Sequence, residues 1–584
     1  MTTRVEQPSE AERFEAETEA GPGADDATLT SNVDSEKGND KPVSPSGSLH
    51  AGAVPEQEKV VEDKRRSKGK TVLLMGALCM AVFLAAIDTT IITTAVPTIS
   101  AHFHSSSADY TWIGSAYLLA AASSMPIWGK LSDIWGRKPI ILVANVVFFA
   151  GSLISAVSHS IKTLLAGRVV QGIGGGGLII LVNICISDLF SMRSRGLYFG
   201  IIGMVWAIAS ALGPVLGGVF TEKVSWRWCF YINLPCDGLA FIVLFFFLDI
   251  ETPTTPIVAG LKAIDWLGSL TIAGGTVMFL LGLEFGGVSF PWASATVICL
   301  LIFGVVVWTL FVLNERKFAK YPVMPLRLFK RRSNIAALVV CFTHGMTFIA
   351  GSYFLPLYFQ AVLGASPILS GVYLFPFVIS LSLSSAAVGI FIRKTGQYLP
   401  PIYFGLFFMT LGFGLYIDLP AHASWARIIL YQIIAGLGVG PNFQSPLIAL
   451  QSLVQPKDIA TATATFGFTR NLASSISVVL GGVIFQNGMR KRRGALEAGL
   501  PATVAAQLSG GEAGANTGVV QALPAAEKAV AAEAFADALR VMWVFYVCVA
   551  AVGLVASAFV GRAFHSGVLL EIRVVFTFSR PLDL

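Results

Sequence analysis

Long apolar stretches alternate with short polar segments between residues 72 and 561. Residues 139–158, for example, contain no charged side chain. A helix of about 20 apolar residues crosses the hydrocarbon core of a bilayer, and only helices or closed barrels satisfy the backbone there. The pattern predicts an all-α membrane protein with 14 transmembrane helices, at 72–95, 110–129, 139–158, 163–187, 197–220, 229–248, 266–286, 293–313, 334–359, 369–391, 400–419, 427–450, 462–485 and 541–561.

The polar segments predict the domain organisation. Of the 35 acidic residues, 15 precede residue 64, in a stretch rich in Ser, Pro and Gly that is typical of disorder. We expect a disordered acidic cytoplasmic tail with a basic end at 1–70, a six-helix half at 71–248, two inserted helices with a basic cytoplasmic loop at 249–332, a second six-helix half at 333–561 and a tail at 562–584.

Basic residues indicate the orientation. They concentrate before span 1 and after spans 2, 4, 8 and 10, which places these segments and the N-terminus in the cytoplasm. The basic run at 490–493 disagrees, because it begins the long loop 487–539 that the count of spans places outside. Long loops translocate largely regardless of their charge, so 14 spans remain the prediction.

Composition narrows the class of protein. Hydrophobic residues make up 54% of the chain and charged residues only 13%, against about 25% charged in soluble domains. The net charge of +6 comes from the basic loops and therefore does not indicate nucleic-acid binding. The seven cysteines lack the spacing of a metal site. We expect no metal and no cofactor, and a lipid bilayer, protons and a small-molecule substrate as partners.

Two pairs of similar segments indicate an internal repeat. The segments "GKLSDIWGRKP" (129–139) and "GIFIRKTGQYLP" (389–400) carry glycines seven residues apart after spans 2 and 10. The segment "RVVQGIGGG" in span 4 matches "QIIAGLGVG" in span 12, with Gln432 in the place of Arg168. Both pairs are offset by eight spans. This predicts two six-helix pseudo-repeats plus two inserted central helices, a transporter architecture with its substrate site between the halves.

The glycines of span 4 allow two interpretations. Gly172, Gly174 and Gly177 have the spacing of a dinucleotide-binding turn, but that turn needs a preceding strand within a βαβ unit. Small residues at helical spacing instead let membrane helices approach closely. We therefore expect helix packing here.

Ionisable residues inside the spans are functional candidates, because a charge in hydrocarbon costs several kcal/mol. Asp88 in span 1 could exchange a proton from a water-filled cavity, and Arg168 in span 4 could pair with it. The alternatives are a structural hydrogen bond for Asp88 and, for Arg168, a side chain that reaches the outer surface. Glu284 is expected to be interfacial. Arg470 is equally consistent with helix anchoring and with ligand contact.

The loop after span 2 combines glycines with charges. Gly129 and Gly136 permit a tight turn, Asp133 can bridge helix ends, and Arg137 and Lys138 hold the inner interface. Such a charge relay can act as a conformational latch between halves that rock, whereas a plain basic loop would indicate only topology. The repeated glycine spacing favours the latch.

These residues also carry a resemblance. The latch loop resembles the signature loop between helices 2 and 3 of the major facilitator superfamily, and "LAGRVVQGIGGG" resembles its helix-4 motif, whose arginine is implicated in proton transfer. The segment "ALGPVLGG" resembles the helix-5 antiporter motif, which implies a role in exchange for Gly213, Pro214, Gly217 and Gly218. The segments "LAAIDTTIITTAVP", "WRWCFYINLP" and "YFLPLYFQAVLGASPILSG" are similar to the 14-helix drug:proton antiporter branch, and in particular to fungal efflux pumps for toxins and secondary metabolites.

Two features depart from that family. Asp237 stands where relatives usually have a small apolar residue, and the tail after Arg562 looks unlike them. The substrate cavity should be apolar and aromatic. Its candidate residues are Trp112, Tyr117, Tyr358, Gln360 and Arg470.

Together, the sequence and the resemblance predict proton-coupled efflux of hydrophobic or amphipathic small molecules by alternating access, in a major facilitator fold. The alternatives are an importer or a vacuolar carrier of siderophores or basic amino acids with the same fold, and a receptor or channel from another class. An enzyme is not expected, because the sequence shows no nucleophile–base or metal constellation. The plasma membrane is the expected location, with the vacuolar membrane as the alternative.

Overall fold

The computed structural model describes residues 67–103, 107–250, 255–287, 290–509, 513–514 and 517–561. Within these ranges the chain is helical and contains no strand, so the predicted all-α class is confirmed. The tail at 562–584 and all but the last residues of the predicted acidic tail at 1–70 lie outside the described residues.

The described helices follow the apolar segments of the sequence. Up to residue 250 they are α1 (Lys68–Phe103), α2 (Ser107–Trp135), α3 (Arg137–Ala156), α4 (Ile161–Leu189), α5 (Met192–Lys223), α6 (Trp228–Tyr231) and α7 (Asn233–Phe247). The central segment contains α8 (Ile257–Ala263), α9 (Trp266–Phe285), α10 (Ala295–Lys317) and a 3-10 helix (Leu326–Phe329).

The remaining helices belong to the second half of the chain. They are α11 (Arg332–Ala361), α12 (Pro367–Tyr373), α13 (Phe375–Thr395), α14 (Leu399–Leu415), α15 (Trp425–Val439), α16 (Ser445–Ser452), α17 (Ile459–Lys491), α18 (Arg493–Gly499), α19 (Ala502–Ser509), α20 (Thr517–Gln521) and α21 (Ala525–Ser557). Short 3-10 helices lie at Tyr416–Asp418, Gly440–Phe443 and Pro456–Asp458.

The number of spans is the point at which sequence and structure differ. Thirteen helical segments of the described chain are long and apolar enough to cross a membrane. The predicted second span is present as α2, with 29 residues, but it is not among the thirteen. Serine, glycine and tyrosine residues dilute its apolar positions. The predicted count of 14 is therefore not confirmed.

Three predicted spans are interrupted. Span 6 divides into α6 and α7 at Ile232, and span 10 divides into α12 and α13 at Leu374, two residues before Pro376. Span 12 passes through the 3-10 helix Gly440–Phe443, which contains Pro441. Proline lacks a backbone N–H and disfavours helical geometry in the residue before it, so proline accounts for the breaks in spans 10 and 12.

The repeated loops share one backbone feature, a positive φ at the second glycine. Gly136, between α2 and α3, has a φ of 90°, and Gly396, after α13, has a φ of 71°. This left-handed region favours glycine. The first glycine of each loop lies against another helix: a Cβ on Gly129 would lie 2.7 Å from the Cβ of Ala464, and one on Gly389 would lie 2.6 Å from the backbone oxygen of Gly196. The glycine spacing thus corresponds to a positive-φ glycine and a close helix contact in both loops. The turns themselves differ, since ψ is 163° at Gly136 and 1° at Gly396.

The helices of each half pack mainly on one another, and a few pairs join the halves. In the first half α4 contacts α2 and α3, and α1 contacts α5 and α7. In the second half α11 contacts α17 and α21, and α15 contacts α13 and α14. The halves meet where α5 packs on α13 and where α17 packs on α2 and α4. The inserted helix α9 packs on α10 and lies against α2 and α17.

The glycines of α4 make room for neighbouring backbones, which confirms the packing interpretation. A Cβ on Gly172 would lie 2.4 Å from the backbone oxygen of Tyr117, and one on Gly174 would lie 2.3 Å from the backbone nitrogen of Phe148. A Cβ on Gly177 would lie 2.8 Å from the ring of Trp128. The helix α4 therefore contacts α2 and α3 closely because it lacks side chains on these faces.

Gly174→Ala should destabilise the protein, because the added methyl group overlaps the backbone of α3. Overpacking of this kind costs about 1–3 kcal/mol. We expect a lower midpoint of thermal unfolding for the full-length protein in detergent. Gly414→Ala is the matched control, since its methyl group meets no atom within 4 Å. Equal stability of the two variants would contradict the packing argument.

Candidate functional site

Asp88 and Arg168 form a buried ion pair between α1 and α4. An Arg168 guanidinium nitrogen, Nη1, donates to Asp88 Oδ2, and neither side chain is exposed. The guanidinium also donates through Nε to the backbone oxygen of Ile113, at 3.0 Å. Arg168 therefore points into the helix bundle and does not reach the outer surface. The sequence predicted the residues of this pair, and the structure brings them together.

Neutral polar side chains surround the ion pair. Gln171 accepts from Arg168 Nη1 at 2.7 Å and donates from Nε2 to Asp88 Oδ1 at 2.9 Å. Asn233 of α7 donates to the same carboxylate oxygen at 3.2 Å. Both amides also donate to Ser152 of α3, at 2.9 and 3.4 Å. We call these five residues the Asp88 cluster; all of them are buried.

Two aromatic rings flank the guanidinium of Arg168. The guanidinium carbon lies 4.6 Å from the centre of the Tyr117 ring and 5.8 Å from that of Phe230. The Tyr117 hydroxyl donates to the backbone oxygen of Ala85 at 2.9 Å. Tyr117, a predicted cavity residue, is therefore buried against the Asp88 cluster. Cation–π contact stabilises the guanidinium between these rings, and the low local polarity strengthens its hydrogen bonds.

The glycines of the helix-5 motif lie against α1, close to Asp88. A Cβ on Gly213 would lie 2.0 Å from Thr90 Oγ1, and one on Gly217 would lie 2.2 Å from the backbone oxygen of Ile91. Thr94 of α1 donates to the backbone oxygen of Pro214 at 3.2 Å. These contacts leave no room for larger side chains between α1 and α5.

The same helix reaches the second half of the chain. A Cβ on Gly218 would lie 2.9 Å from Ile368 of α12, and α5 also packs along α13. Helix α5 thus contacts both the helix that carries Asp88 and the opposite half.

The charged residues of the predicted latch form a bridge at the ends of three helices. Arg137 at the start of α3 donates from Nη1 to Asp133 of α2 and from Nε to Asp188 of α4, both at 2.7 Å. We call Asp133, Arg137 and Asp188 the Arg137 bridge. Lys138 takes no part in it; its ammonium lies 5.7 Å from the centre of the Phe245 ring.

A second polar contact joins the two halves beside this bridge. Gln451 of α16 donates to Ser187 of α4 at 2.8 Å and to Thr463 of α17 at 2.9 Å. Arg195 of α5 donates to Gln451 at 3.2 Å. We call these four residues the seam. In the predicted topology both the seam and the Arg137 bridge lie at the cytoplasmic ends of the helices.

The other predicted cavity residues lie apart from one another. Trp112 lines a small cleft between α2, α9 and α17, in which Ser115 donates to Glu284 at 2.5 Å. Tyr358 donates to the backbone oxygen of Pro420 at 2.8 Å. Gln360 donates to Ser370 at 3.1 Å. The structure therefore does not gather these side chains into one pocket.

Arg470 of α17 lies in the second half, among aromatic rings. Its guanidinium carbon lies 5.0 Å from the centre of the Phe443 ring and 4.9 Å from that of Phe466. It donates to the backbone oxygen of Phe443, and no described carboxylate lies within ion-pair distance of it. The ring of Phe443 lies 6.4 Å from that of Trp206 on α5, so Arg470 is near the contact between the halves.

Sequence reasoning missed several polar residues of this site. Gln171 lies three residues after Arg168, on the same face of the helix, and Asn233 is the fifth residue of predicted span 6. Gln451 directly follows predicted span 12. Uncharged polar residues within apolar runs were the available signal, but serine and threonine are frequent in these spans and obscured it.

Comparison with known proteins agrees with this architecture. Residues 78–478 match the family described as Major Facilitator Superfamily. The chain is 57% identical to "Efflux pump dotC" of Dothistroma septosporum, over 84% of each protein. It is 52% identical to "MFS-type transporter ppz2" of Metarhizium majus, over 85% of this chain and 86% of that protein.

Two solved structures share the fold. The human organic anion transporter MFSD10 (TETRAN) gives a TM-score of 0.53 at 15% identity, over 83% of this chain and 99% of that one. The proton:xylose symporter XylE gives 0.54 at 13% identity, over 85% and 97%. The family match over residues 78–478, the similar relatives and the apolar helices of the described chain together identify its family. This chain is a multi-pass membrane transporter and belongs to the Major Facilitator Superfamily.

Proposed function

We propose that this transporter exports hydrophobic or amphipathic small molecules, such as fungal toxins and other secondary metabolites, in exchange for protons across the plasma membrane. The observation that carries the proposal is the buried ion pair of Asp88 and Arg168. The name of one relative reported above, an efflux pump, supports the outward direction. The resemblance at Gly213, Pro214, Gly217 and Gly218 supports antiport.

The Asp88 cluster can exist in two charge states. When Asp88 is ionised, its carboxylate accepts from Arg168, Gln171 and Asn233. A proton on this carboxyl removes the charge that holds Arg168 and turns one acceptor oxygen into a donor. The amides of Gln171 and Asn233 can each donate or accept, so they can serve both states. Protonation would therefore weaken the contact between α1 and α4.

Such a change at Asp88 can reach the opposite half through α5. Thr90, two residues after Asp88, donates to the backbone oxygen of Ala209 at 3.2 Å, and Gly213 lies against the same threonine. Helix α5 in turn packs on α12 and α13. A shift of α1 when Asp88 is protonated would therefore move α5 relative to the second half, as alternating access requires.

The proton gradient can supply the energy for export. One charge that moves through the membrane potential releases about 2.3 kcal/mol for each 100 mV. This is enough for roughly a fiftyfold accumulation of a neutral substrate against its gradient, since each 1.4 kcal/mol corresponds to a factor of ten.

The proposal is tested with full-length protein in liposomes whose interior is acidic. Ethidium, a hydrophobic cation, and Nile red, a neutral dye, are added outside as probes. An antiporter should accumulate a transported probe inside and raise the internal pH as it does so. Symport by a same-fold importer would not accumulate the probe in this orientation. Accumulation of no probe, or accumulation without proton movement, would contradict the proposal.

The same probes test location and direction in cells. A fluorescent fusion of the full chain should mark the plasma membrane of a fungal host and lower the probe content of the cells. A fusion found on the vacuolar membrane, with more probe inside the vacuole, would favour the alternative of a vacuolar carrier.

A further inference from the structure

Asp237 is a second buried carboxyl in the first half of the transporter. It lies in α7, one helical turn after Asn233, and its side chain is fully buried. Neither of its carboxyl oxygens has a hydrogen-bond partner among the described residues. Asp88, by contrast, accepts from three side chains. The two buried acids thus differ in their hydrogen bonding: Asp88 is fully partnered, and Asp237 has no partner among the described residues.

An ionised carboxylate without partners is not stable in such a place. An uncompensated charge in an apolar interior is so costly that the group takes up a proton instead. Asp237 is therefore a neutral acid in this conformation, whereas Asp88 is paired with a cation. Of the two fully buried acids in the described part of the first half, Asp88 is thus a carboxylate and Asp237 a carboxylic acid.

Among the described residues, none offers Asp237 a counter-ion. Helices α1 and α3 pack against α7, and α6 precedes it. The titratable and charged groups with described side chains on these elements are Lys70, Cys79, Asp88 and His102 of α1, Arg137 and Lys138 of α3, Cys229 and Tyr231 of α6, and Cys236 of α7 itself. No described basic group forms an ion pair with Asp237. Lys138 lies against Phe245, two turns further along α7.

The position of Asn233 shows how Asp237 lies relative to Asp88. It donates to Asp88 Oδ1 at 3.2 Å, and Asp237 follows it by four residues on the same face of α7. Four residues correspond to about 6 Å along a helix. In the predicted topology α7 runs from the outside towards the cytoplasm, so Asp237 lies on the cytoplasmic side of the Asp88 cluster.

We infer that Asp237 is a second proton-binding site, which receives the coupling proton from Asp88 and releases it towards the cytoplasm. The inference rests on the proposed function, because it assigns a further step to the same proton. When Asp88 is protonated and Asp237 is ionised, the O–H bond on Asp88 breaks and a new O–H bond forms on Asp237. The negative charge moves to Asp88, which pairs with Arg168. The arrangement in this structure, with an ionised Asp88 and a neutral Asp237, is the state after that transfer.

The test uses full-length protein in liposomes with the variants Asp237→Asn and Asp237→Glu. Asparagine has nearly the shape of the neutral acid but cannot release a proton. Two assays are compared: accumulation of ethidium or Nile red driven by a pH gradient, and exchange of labelled for unlabelled probe without a gradient. Asp418→Asn is the matched control, since it removes an exposed carboxylate of the second half that pairs with Arg427.

We expect Asp237→Asn to keep the exchange reaction and to lose gradient-driven accumulation. In a gradient of one pH unit the accumulation ratio should fall from about ten to about one, the change that one coupled proton accounts for. The rate of probe exchange by Asp237→Asn should also become less dependent on pH. Asp237→Glu should restore part of the accumulation, and Asp418→Asn should match the unmodified protein in both assays.

Three results would overturn the inference. The first is Asp237→Asn with unchanged accumulation and pH dependence. The second is loss of both reactions in Asp237→Asn and Asp237→Glu alike, which would assign Asp237 a structural role. The third is Asp237→Glu with intact exchange but with no accumulation beyond that of Asp237→Asn. If the unmodified protein itself shows no gradient-driven accumulation, the proposed function fails before any variant is compared.

Discussion

Arg168→Ala should abolish gradient-driven transport and also destabilise the protein. The change leaves Asp88 fully buried without its cation. Removing one partner of a buried ion pair costs about 3–5 kcal/mol, and Asp88 can escape part of that cost only by staying protonated. A carboxyl that is always protonated cannot carry protons in a cycle. We expect no probe accumulation in liposomes and a lower unfolding midpoint in detergent.

A double variant separates coupling from stability in this prediction. In Asp88→Asn with Arg168→Gln, neither charge remains, so the unpaired charge that destabilises Arg168→Ala is absent. We expect its unfolding midpoint to return most of the way to that of the unmodified protein, while gradient-driven accumulation stays absent. A double variant that still accumulates the probe against its gradient would rule out the Asp88–Arg168 pair as the coupling site.

The pair itself could be predicted from sequence because charge is rare in these spans. Only 13% of the chain is charged, so Asp88 and Arg168 stood out within apolar runs, and buried charges are expected to pair. Gln171 and Asn233 could not be assigned in the same way, since amides within a span are consistent with ordinary helix packing. Their roles depend on the rotation of α4 and α7 about their axes, which only the packing against α1 and α3 fixes.

The helix interruptions, too, could be predicted from the sequence only in part. Apolar runs located the spans, and proline explains why spans 10 and 12 break where they do. The break within span 6 at Ile232 places Asn233 at the start of α7 and towards Asp88. Hydropathy averages over such a break and cannot reveal it. The low hydropathy of α2 likewise reflects polar residues such as Tyr117 and Ser124, which lie against the glycines of α4.

The Arg137 bridge and the seam are adjacent, at the helix ends that the predicted topology places in the cytoplasm. Asp188 of the bridge directly follows Ser187 of the seam, and Asp133 lies one turn after Gly129, which contacts Ala464 of α17. The bridge therefore holds the ends of α2 and α4 where they meet the second half. The charged residues of the bridge all belong to the first half. We therefore expect the bridge to affect closure of the cytoplasmic side only through the contacts that α2 and α4 make with the second half.

Arg137→Ala should open the cytoplasmic side and slow transport. The side chains of Arg137, Asp133 and Asp188 are 15%, 23% and 31% exposed, and ion pairs of this kind are worth at most about 1 kcal/mol each. Losing both pairs therefore shifts the balance between closed and open states by at most about thirtyfold. A cysteine in place of buried Ala460 reports the shift through its rate of labelling by a maleimide, after the exposed Cys299 and Cys548 are changed to serine.

We expect labelling at position 460 to be faster in Arg137→Ala and the maximal transport rate to fall, while probe affinity changes little. The labelling rate of Arg137→Lys should lie between those of the unmodified protein and Arg137→Ala. An ammonium lacks the planar set of donors with which a guanidinium binds both acids at once. Arg427→Ala, which breaks an exposed pair with Asp418 in the second half, should change neither measurement. If Arg137→Ala labelled as slowly as Arg427→Ala, the bridge would not stabilise the closed cytoplasmic side, and the rocking of the halves would have to be controlled by the seam and the glycine contacts alone.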